Sequence, residues 1–285
     1  IKEAIKVLTE SKVSSKRICV CTDDRDADDL FHFGLDWVVK QAHELGIEKT
    51  TSWSMGSLHP ATRYNIDRDY GALGHGRRAD IVMLDDNLNV HNTWLGGELV
   101  VENSKITSTL EQQLENKRYK YPNRAYNTVI LPNEFKLIPD IPNKENLKVN
   151  IIKSELPGIM TTRETIHVKE IITDWKIFLH DNNLCHLCVV ERHGHNGEYA
   201  HGFLKNFNLK HGAVASSVGH DAHNIIVAGM NDSDMKFAID KISEIQGGIV
   251  IVNEGNLIAK VELPIAGLLS DKRANIVAEE NKILK

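Results

Sequence analysis

No apolar run in this 285-residue chain approaches the roughly 20 residues needed to span a bilayer, and no segment has the form of a secretion signal. An excess of positive charge is also missing. Lys and Arg number 34 against 39 Asp and Glu, a formal net charge of −5, which argues against an electrostatic grip on nucleic-acid phosphates. Neither a membrane nor a nucleic acid is therefore an expected partner. Cysteine is sparse. Cys19 and Cys21 alternate on one predicted strand and Cys185 and Cys188 fall on another. Alternate residues of a strand share a face and do not easily bridge, so all four read as reduced thiols, which predicts a cytoplasmic protein. No fixed-period repeat and no low-complexity segment interrupts the chain.

Several motifs that would fix a chemistry are missing too. Cys185-His186-Leu187-Cys188 has ligand-like spacing, but a structural zinc site needs four ligands and no second pair exists. No His is followed two residues later by Glu, and no Pro-Cys-x-x-Cys occurs, which excludes the zinc deaminases built on that signature. There is no His-Glu-x-x-His and no Walker loop, and the glycines of 71–76 are turn glycines entering a strand.

What is present is an ordinary globular composition, 41% hydrophobic, in a length that suits one large domain or two to three small ones. The chain opens at Ile1, without Met and already inside a helical pattern (Ile1, Ala4, Ile5, Leu8), as a piece of a longer protein would. The pattern predicts a helix over 1–10, a strand over 17–22, a helix from Asp28 or Asp29 to about Leu45, and a short helix over 59–65 with Pro60 in its first turn. Strands at 79–84, 90–95 and 98–102, joined by turns at 85–89 and at Gly96-Gly97, predict a meander. Residues 110–150, with Pro122, Pro132, Pro139 and Pro142, read as linker and extended arms. A second mixed region follows, with strands at 150–153, 164–168, 187–192, 225–229 and 249–253 and a helix over 235–245 that stops at Gly247-Gly248.

Two places carry candidate chemistry. The apolar run Ile18-Cys19-Val20-Cys21 ends in Thr22-Asp23-Asp24. A buried strand that delivers carboxylates at its C-terminal tip is where α/β barrels place their active sites. On a continuing strand Asp23 and Asp24 point to opposite faces, so one of them aims inward. The second place is histidine-rich: six of the fourteen His lie between His193 and His223. There Ala215-Ser216-Ser217-Val218-Gly219-His220-Asp221-Ala222-His223-Asn224 precedes the apolar strand at 225–229, a plausible site loop for a metal or a purine. His193-Gly194-His195 runs into a glycine turn and reads as a hairpin with exposed imidazoles.

The order of these pieces resembles the end of an amidohydrolase-superfamily barrel. Thr22-Asp23 stands where the last strand carries its Asp, His59-Pro60-Ala61 lies on the following helix, and Gly76-Arg77-Arg78-Ala79-Asp80-Ile81-Val82 opens a small β domain. The later text, Glu191-Arg192-His193-Gly194, the Ser-x-x-His-Asp-x-His-Asn phrase at 217–224, and Pro264-Ile265-Ala266-Gly267-Leu268-Leu269-Ser270-Asp271, narrows the resemblance to the adenine deaminase family. It covers nearly the whole chain but matches the C-terminal half of such an enzyme. The fold it implies is α/β plus β: the last strand and helices of a (β/α)8 barrel over 1–70, a small β-sandwich domain and linker over 71–148, and a C-terminal α/β domain over 149–285. The function it implies is hydrolysis of adenine to hypoxanthine and ammonia in purine salvage. Asp23 is the implied metal ligand and proton shuttle, with Asp24 as the alternative. His220, Asp221 and His223 form the candidate substrate or second-site loop. The implied cofactor is a divalent metal, Mn or Fe, with Zn as an alternative, most of whose ligands lie before Ile1. The implied partners are a purine and either a second copy of the chain or the missing N-terminal half. The isolated chain is expected to be inactive. Two other readings stand beside this one: another amidohydrolase such as a cyclic amidase, and a non-catalytic C-terminal module of a split enzyme.

Overall fold

A computed structural model describes residues 2–11, 14–116, 121–155 and 160–285; Ile1, at the head of the first predicted helix, lies outside them. The chain divides into two compact units, Ile1–Lys120 and Tyr121–Lys285. Both mix helices with sheets.

The first unit begins with five helices: α1 (Lys2–Ser11), α2 (Ala27–Leu30), α3 (Leu35–Glu44), α4 (Lys49–Met55) and α5 (Leu58–Arg63). Ile5, Ala42 and Met55 form the buried centre where α1, α3 and α4 meet, with Leu8, Ile18, Val20, Leu45 and Ile47 packed around them. The single helix expected from Asp28 or Asp29 to Leu45 is split, because Gly34 breaks the run and caps α3. Glu48 caps α4 by accepting from the amides of Thr50 and Thr51. Hydrogen bonds from the Thr50 hydroxyl and then these amides hold its carboxyl down at about 2.

The strand expected over 17–22 does not form a ladder. Ser15–Arg17 is a 3-10 turn, and the extended segment after it makes one backbone bond to a neighbouring element, Val20 N–H to the Met55 carbonyl at 3.0 Å. The side chains still alternate as a strand would, with Ile18 and Val20 half-buried and Cys19 and Cys21 exposed. A parallel strand is held by neighbours on its edges. The described residues supply none here.

The predicted meander is present as β1 (Ile81–Leu84), β2 (Val90–Leu95), β3 (Glu98–Glu102) and β4 (Lys105–Ile106), all antiparallel in the order β1-β2-β3-β4. Asp85 ties its turn by accepting from the amides of Asn87 and Asn89. Among the described residues this is one sheet, not the two packed layers of a sandwich. Helix α6 (Ser108–Asn116) follows, where the sequence reading placed linker; Thr107 caps it by accepting from the Leu110 amide.

The second unit is an eight-stranded mixed sheet: β5 (Leu147–Ser154), β6 (Thr161–Val168), β7 (Leu184–Val190), β8 (Tyr199–Lys205), β9 (Ala213–Ser216), β10 (Ile225–Gly229), β11 (Gly248–Asn253) and β12 (Asn256–Glu262). Their order is β12-β11-β9-β10-β7-β8-β5-β6, and β5 with β8 is the parallel pair. Helix α7 (Trp175–Asp181) packs on β7, α8 (Asp232–Glu244) lies across β9, β10 and β11, and α9 (Ala274–Leu284) packs along β12. The spacing of Met235, Ala238, Ile239 and Ile242 puts one apolar stripe of α8 against the sheet, and all four are fully buried with Cys188, Val190, Ala215, Val227 and Val250. The described part of 121–146, read from sequence as linker, belongs to this core. Val129 and Leu137 are buried in it, and Leu131, Phe135 and Ile138 pack against it. Apart from a 3-10 turn at Asn123–Ala125 and a single bridge from Ile130 to His193 the segment is irregular, but Val129 and Leu137 are as interior as residues of the strands.

Candidate functional site

The acidic tip belongs to the first unit. Asp23 has a left-handed backbone (φ 59°), is exposed, and its Oδ1 accepts from the Asp24 amide at 2.8 Å. Arg25 closes the turn with its Nε donating to the Thr22 carbonyl at 3.0 Å, and its guanidinium lies over the rings of Phe33 and Trp37. His59 follows on α5 and its Nδ1 contacts the Ile18 carbonyl at 3.0 Å, so α5 buttresses the segment that leads to Asp23. Among the described residues no three His, Cys, Asp or Glu side chains converge on a point. The described residues therefore do not compose a metal site by themselves.

The histidine loop belongs to the second unit, between the end of β9 and the start of β10. It is built around three consecutive residues at the exit of β7. Glu191, 8% exposed, accepts from the backbone amides of His193, His195 and Gly197 and shapes the hairpin turn to β8. Burial pushes its carboxyl up, but the amides of His193, Gly197 and His195 outweigh this, and it stays below the usual carboxylate value. Arg192, 1% exposed, sends its guanidinium the other way. Nε donates to the His223 carbonyl at 2.6 Å, Nη1 to the Thr128 carbonyl at 3.1 Å, and Nη2 to the Ala266 carbonyl at 3.0 Å. His193 Nε2 donates to the Ala222 carbonyl at 3.0 Å, which fixes its proton on Nε2.

Ser217 anchors the other end of the loop. It is fully buried, its hydroxyl donates to the Gly267 carbonyl at 2.6 Å, and it accepts from the Gly248 amide at 2.8 Å. The His223 amide donates to the Gly219 carbonyl at 2.6 Å and closes the loop on itself. Between these anchors the side chains of His220 and Asp221 are 68% and 85% exposed and pair with each other. The rings of His220 and His223 lie 5.6 Å apart, and those of His193 and His195 6.0 Å apart. His223 Nδ1 and Asn224 Oδ1 are shielded from water and have no hydrogen-bond partner among the described residues. The loop thus presents the His220 imidazole and the Asp221 carboxylate on a pinned backbone, with the half-buried His223 ring beside them. That is a surface suited to hydrogen-bonding a small polar molecule.

His220, Asp221 and His223 lie on the loop between β9 and β10, and His193-Gly194-His195 lies on the β7–β8 hairpin as read from sequence. Arg192 and Ser217 organise the loop, and the sequence alone assigns neither of them a role. The available signal was an arginine ending an apolar strand, a position where a charge is rarely left unpaired. Cys185 and Cys188 are three apart on β7 and so face opposite sides of the sheet, which rules them out as a ligand pair. Burial pushes their thiols up to about 12 and about 11. All four cysteines are free. A separate cavity of about 480 Å³ beside the start of α8, lined by Lys176, His180, Lys210, Asn231, Asp234 and Asn253 among others, takes no residue from the histidine loop.

Residues 158–285 match the adenine deaminase C-terminal domain. Over 286 aligned positions the chain is 54% identical to adenine deaminase 2 of Bradyrhizobium sp. (strain ORS 278), with all of this chain and 47% of that protein covered. It is 55% identical to the adenine deaminase of Chelativorans sp. (strain BNC1), with the same coverage. The adenine deaminase of Thermosipho africanus (strain TCF52B) is 36% identical over 268 residues, 93% of this chain and 45% of that protein. The chain spans about half the length of the curated relatives it matches, and it resembles their C-terminal part.

Proposed function

We propose that the protein to which this chain belongs deaminates adenine hydrolytically, releasing hypoxanthine and ammonia, in purine salvage. The observation that carries this is the identity of 54–55% along the entire chain to proteins named adenine deaminase. In this reading residues 1–70 close an amidohydrolase barrel, 71–148 hold the small β domain with its linker, and 149–285 form the C-terminal α/β domain. The unpaired extended segment before Asp23 supports it, because such a segment is completed by barrel strands from outside this chain. The cofactor is a divalent metal, Mn or Fe with Zn as the alternative, whose chemistry is Lewis acidity toward the attacking water. From this chain Asp23 takes the proton of that water and passes it to the departing amine, with Asp24 as the fallback. His220, Asp221 and His223 handle the purine. The partner is a second copy of the protein or, if the enzyme is split, the N-terminal half, and the compartment is the cytoplasm. No helix among the described residues is long and apolar enough to cross a membrane.

The test is made in the complete protein. Asp23→Asn keeps the shape of the side chain but cannot accept a proton, so hypoxanthine formation should fall by at least ~100-fold with the thermal midpoint unchanged. Asp24→Asn should be milder. Full activity in the Asp23 variant with loss in the Asp24 variant would move the role one residue along. No adenine turnover in the wild type would end the reading.

A further inference from the structure

We infer that Arg192 and His193 are positioning residues that hold the 217–224 loop in register for substrate. The inference rests on the deaminase reading for what the loop does, and on the geometry alone for how it is held.

Arg192 is a desolvated cation bonded to backbone carbonyls of three separate segments: Thr128, His223 and Ala266. Burial lowers its pKa, partly offset by the charge of Glu191. Retaining a charge in such a place is costly unless its hydrogen-bonding geometry is used. The guanidinium suits the task because it is planar and presents five donors in a fixed fork, so one side chain can fix three diverging carbonyls. The surroundings are shaped for it. A Cβ on Gly267 would lie 2.7–2.9 Å from three guanidinium atoms, and Gly267 has φ +71°. Ser217 grips the Gly267 carbonyl from the other side at 2.6 Å. The same residue pair, Arg192 and Gly267, therefore reaches both ends of the loop: His223 directly and Ser217 through Gly267. His193 adds a third grip at Ala222.

The contrast between ends and middle carries the argument. Ser217 is fully buried, whereas the His220 and Asp221 side chains are 68% and 85% exposed. A stretch that served only to close the core would have no need to display its titratable groups. A stretch that served as a loose connection would have no need of three tethers. Fixed ends with an open, polar centre are what a binding platform requires.

Two measurements test this. In the 285-residue chain, amide hydrogen exchange over 218–224 should speed up at least ~10-fold in His193→Ala, which removes a half-exposed ring, with the thermal midpoint nearly unchanged. His193→Gln places a donor near the position of Nε2 and should restore slow exchange. Arg192→Lys, which cannot reach three carbonyls, should loosen the same amides further. In the complete enzyme, His193→Ala should lower kcat/KM for adenine at least ~10-fold and His193→Gln should recover most of it. Unchanged exchange in both His193→Ala and Arg192→Lys would overturn the inference. Faster exchange with unchanged kcat/KM would also overturn it, because the loop would then be held for some purpose other than adenine. Both results differ from failure of the deaminase reading, in which the wild-type complete protein itself gives no hypoxanthine.

Discussion

His186 lies on the side of β7 that faces the helices, with Leu184, Cys188 and Val190, and is 4% exposed. Its ring stands 5.6 Å from that of Phe203, and its Nδ1 is shielded from water without a partner among the described residues. Burial depresses its pKa from 6.5 to about 4, against a small opposing pull from Asp232. The unfolded chain therefore takes up a proton below about pH 6.5 that the folded chain refuses until near pH 4. The stability this residue allows is complete above 6.5 and is lost as pH falls toward 4, on the order of 3 kcal/mol across that window. His186→Gln should flatten the fall in thermal midpoint between pH 7 and 4.5 relative to the wild type. Parallel midpoint curves for the two proteins would mean that His186 is solvated. In the sequence this residue sits inside a Cys-x-x-Cys phrase, and spacing along the chain does not separate a ligand set from a buried strand. The alternation of faces on β7 separates them at once.

Elements were legible in the sequence where a single neighbour decides them. The strands at 90–95, 98–102 and 225–229 stand at the predicted residues, because turn glycines or apolar alternation mark their ends and each has its partner in the described chain. The segment at 17–22 has the composition of a buried strand and no neighbours to make it one. Residues 108–116 are polar enough to read as linker, yet one capping hydroxyl and a run of good helix formers suffice for α6. Helix α8 shows how an element is tied at its start. Asn231 accepts from the Asp234 amide at 2.8 Å and donates to its carboxylate at 2.9 Å, and that carboxylate, 3% exposed, also accepts from the amides of Glu254 and Gly255 in the β11–β12 turn. Burial raises the Asp234 carboxyl, and these bonds more than reverse it. Asn231→Ala removes the cap and one support of Asp234, and should cost about 1–2 kcal/mol in a denaturant melt. Asp234→Ala should cost more, since it leaves two turn amides unbonded as well. If Asp234→Ala proves no worse than Asn231→Ala, the link between α8 and the turn contributes nothing.

At the scale of the whole molecule, the sequence located the change of character near Val149, where strand patterns resume, while the compact unit begins at Tyr121. The difference is physical. Sequence periodicity reports regular backbone, and 121–146 has almost none, but its side chains complete the core of the second unit. Val129 is 7% exposed and Leu137 2%, the Ile130 amide donates to the Arg192 carbonyl at 2.8 Å, and Thr128 receives the Arg192 guanidinium. A chain cut at 148 loses all of these together. Each large buried side chain removed costs about 2–5 kcal/mol, comparable to a sizeable part of the 5–15 kcal/mol that keeps a domain folded. Residues 121–285 should therefore express as a cooperatively folding unit, and 149–285 should melt far lower or fail to fold. Limited proteolysis of the intact chain should leave a resistant fragment whose N-terminus lies near Tyr121. A stable product beginning near Val149, with a thermal midpoint equal to that of 121–285, would show that the strapping segment is dispensable and that the sheet with its helices folds without it.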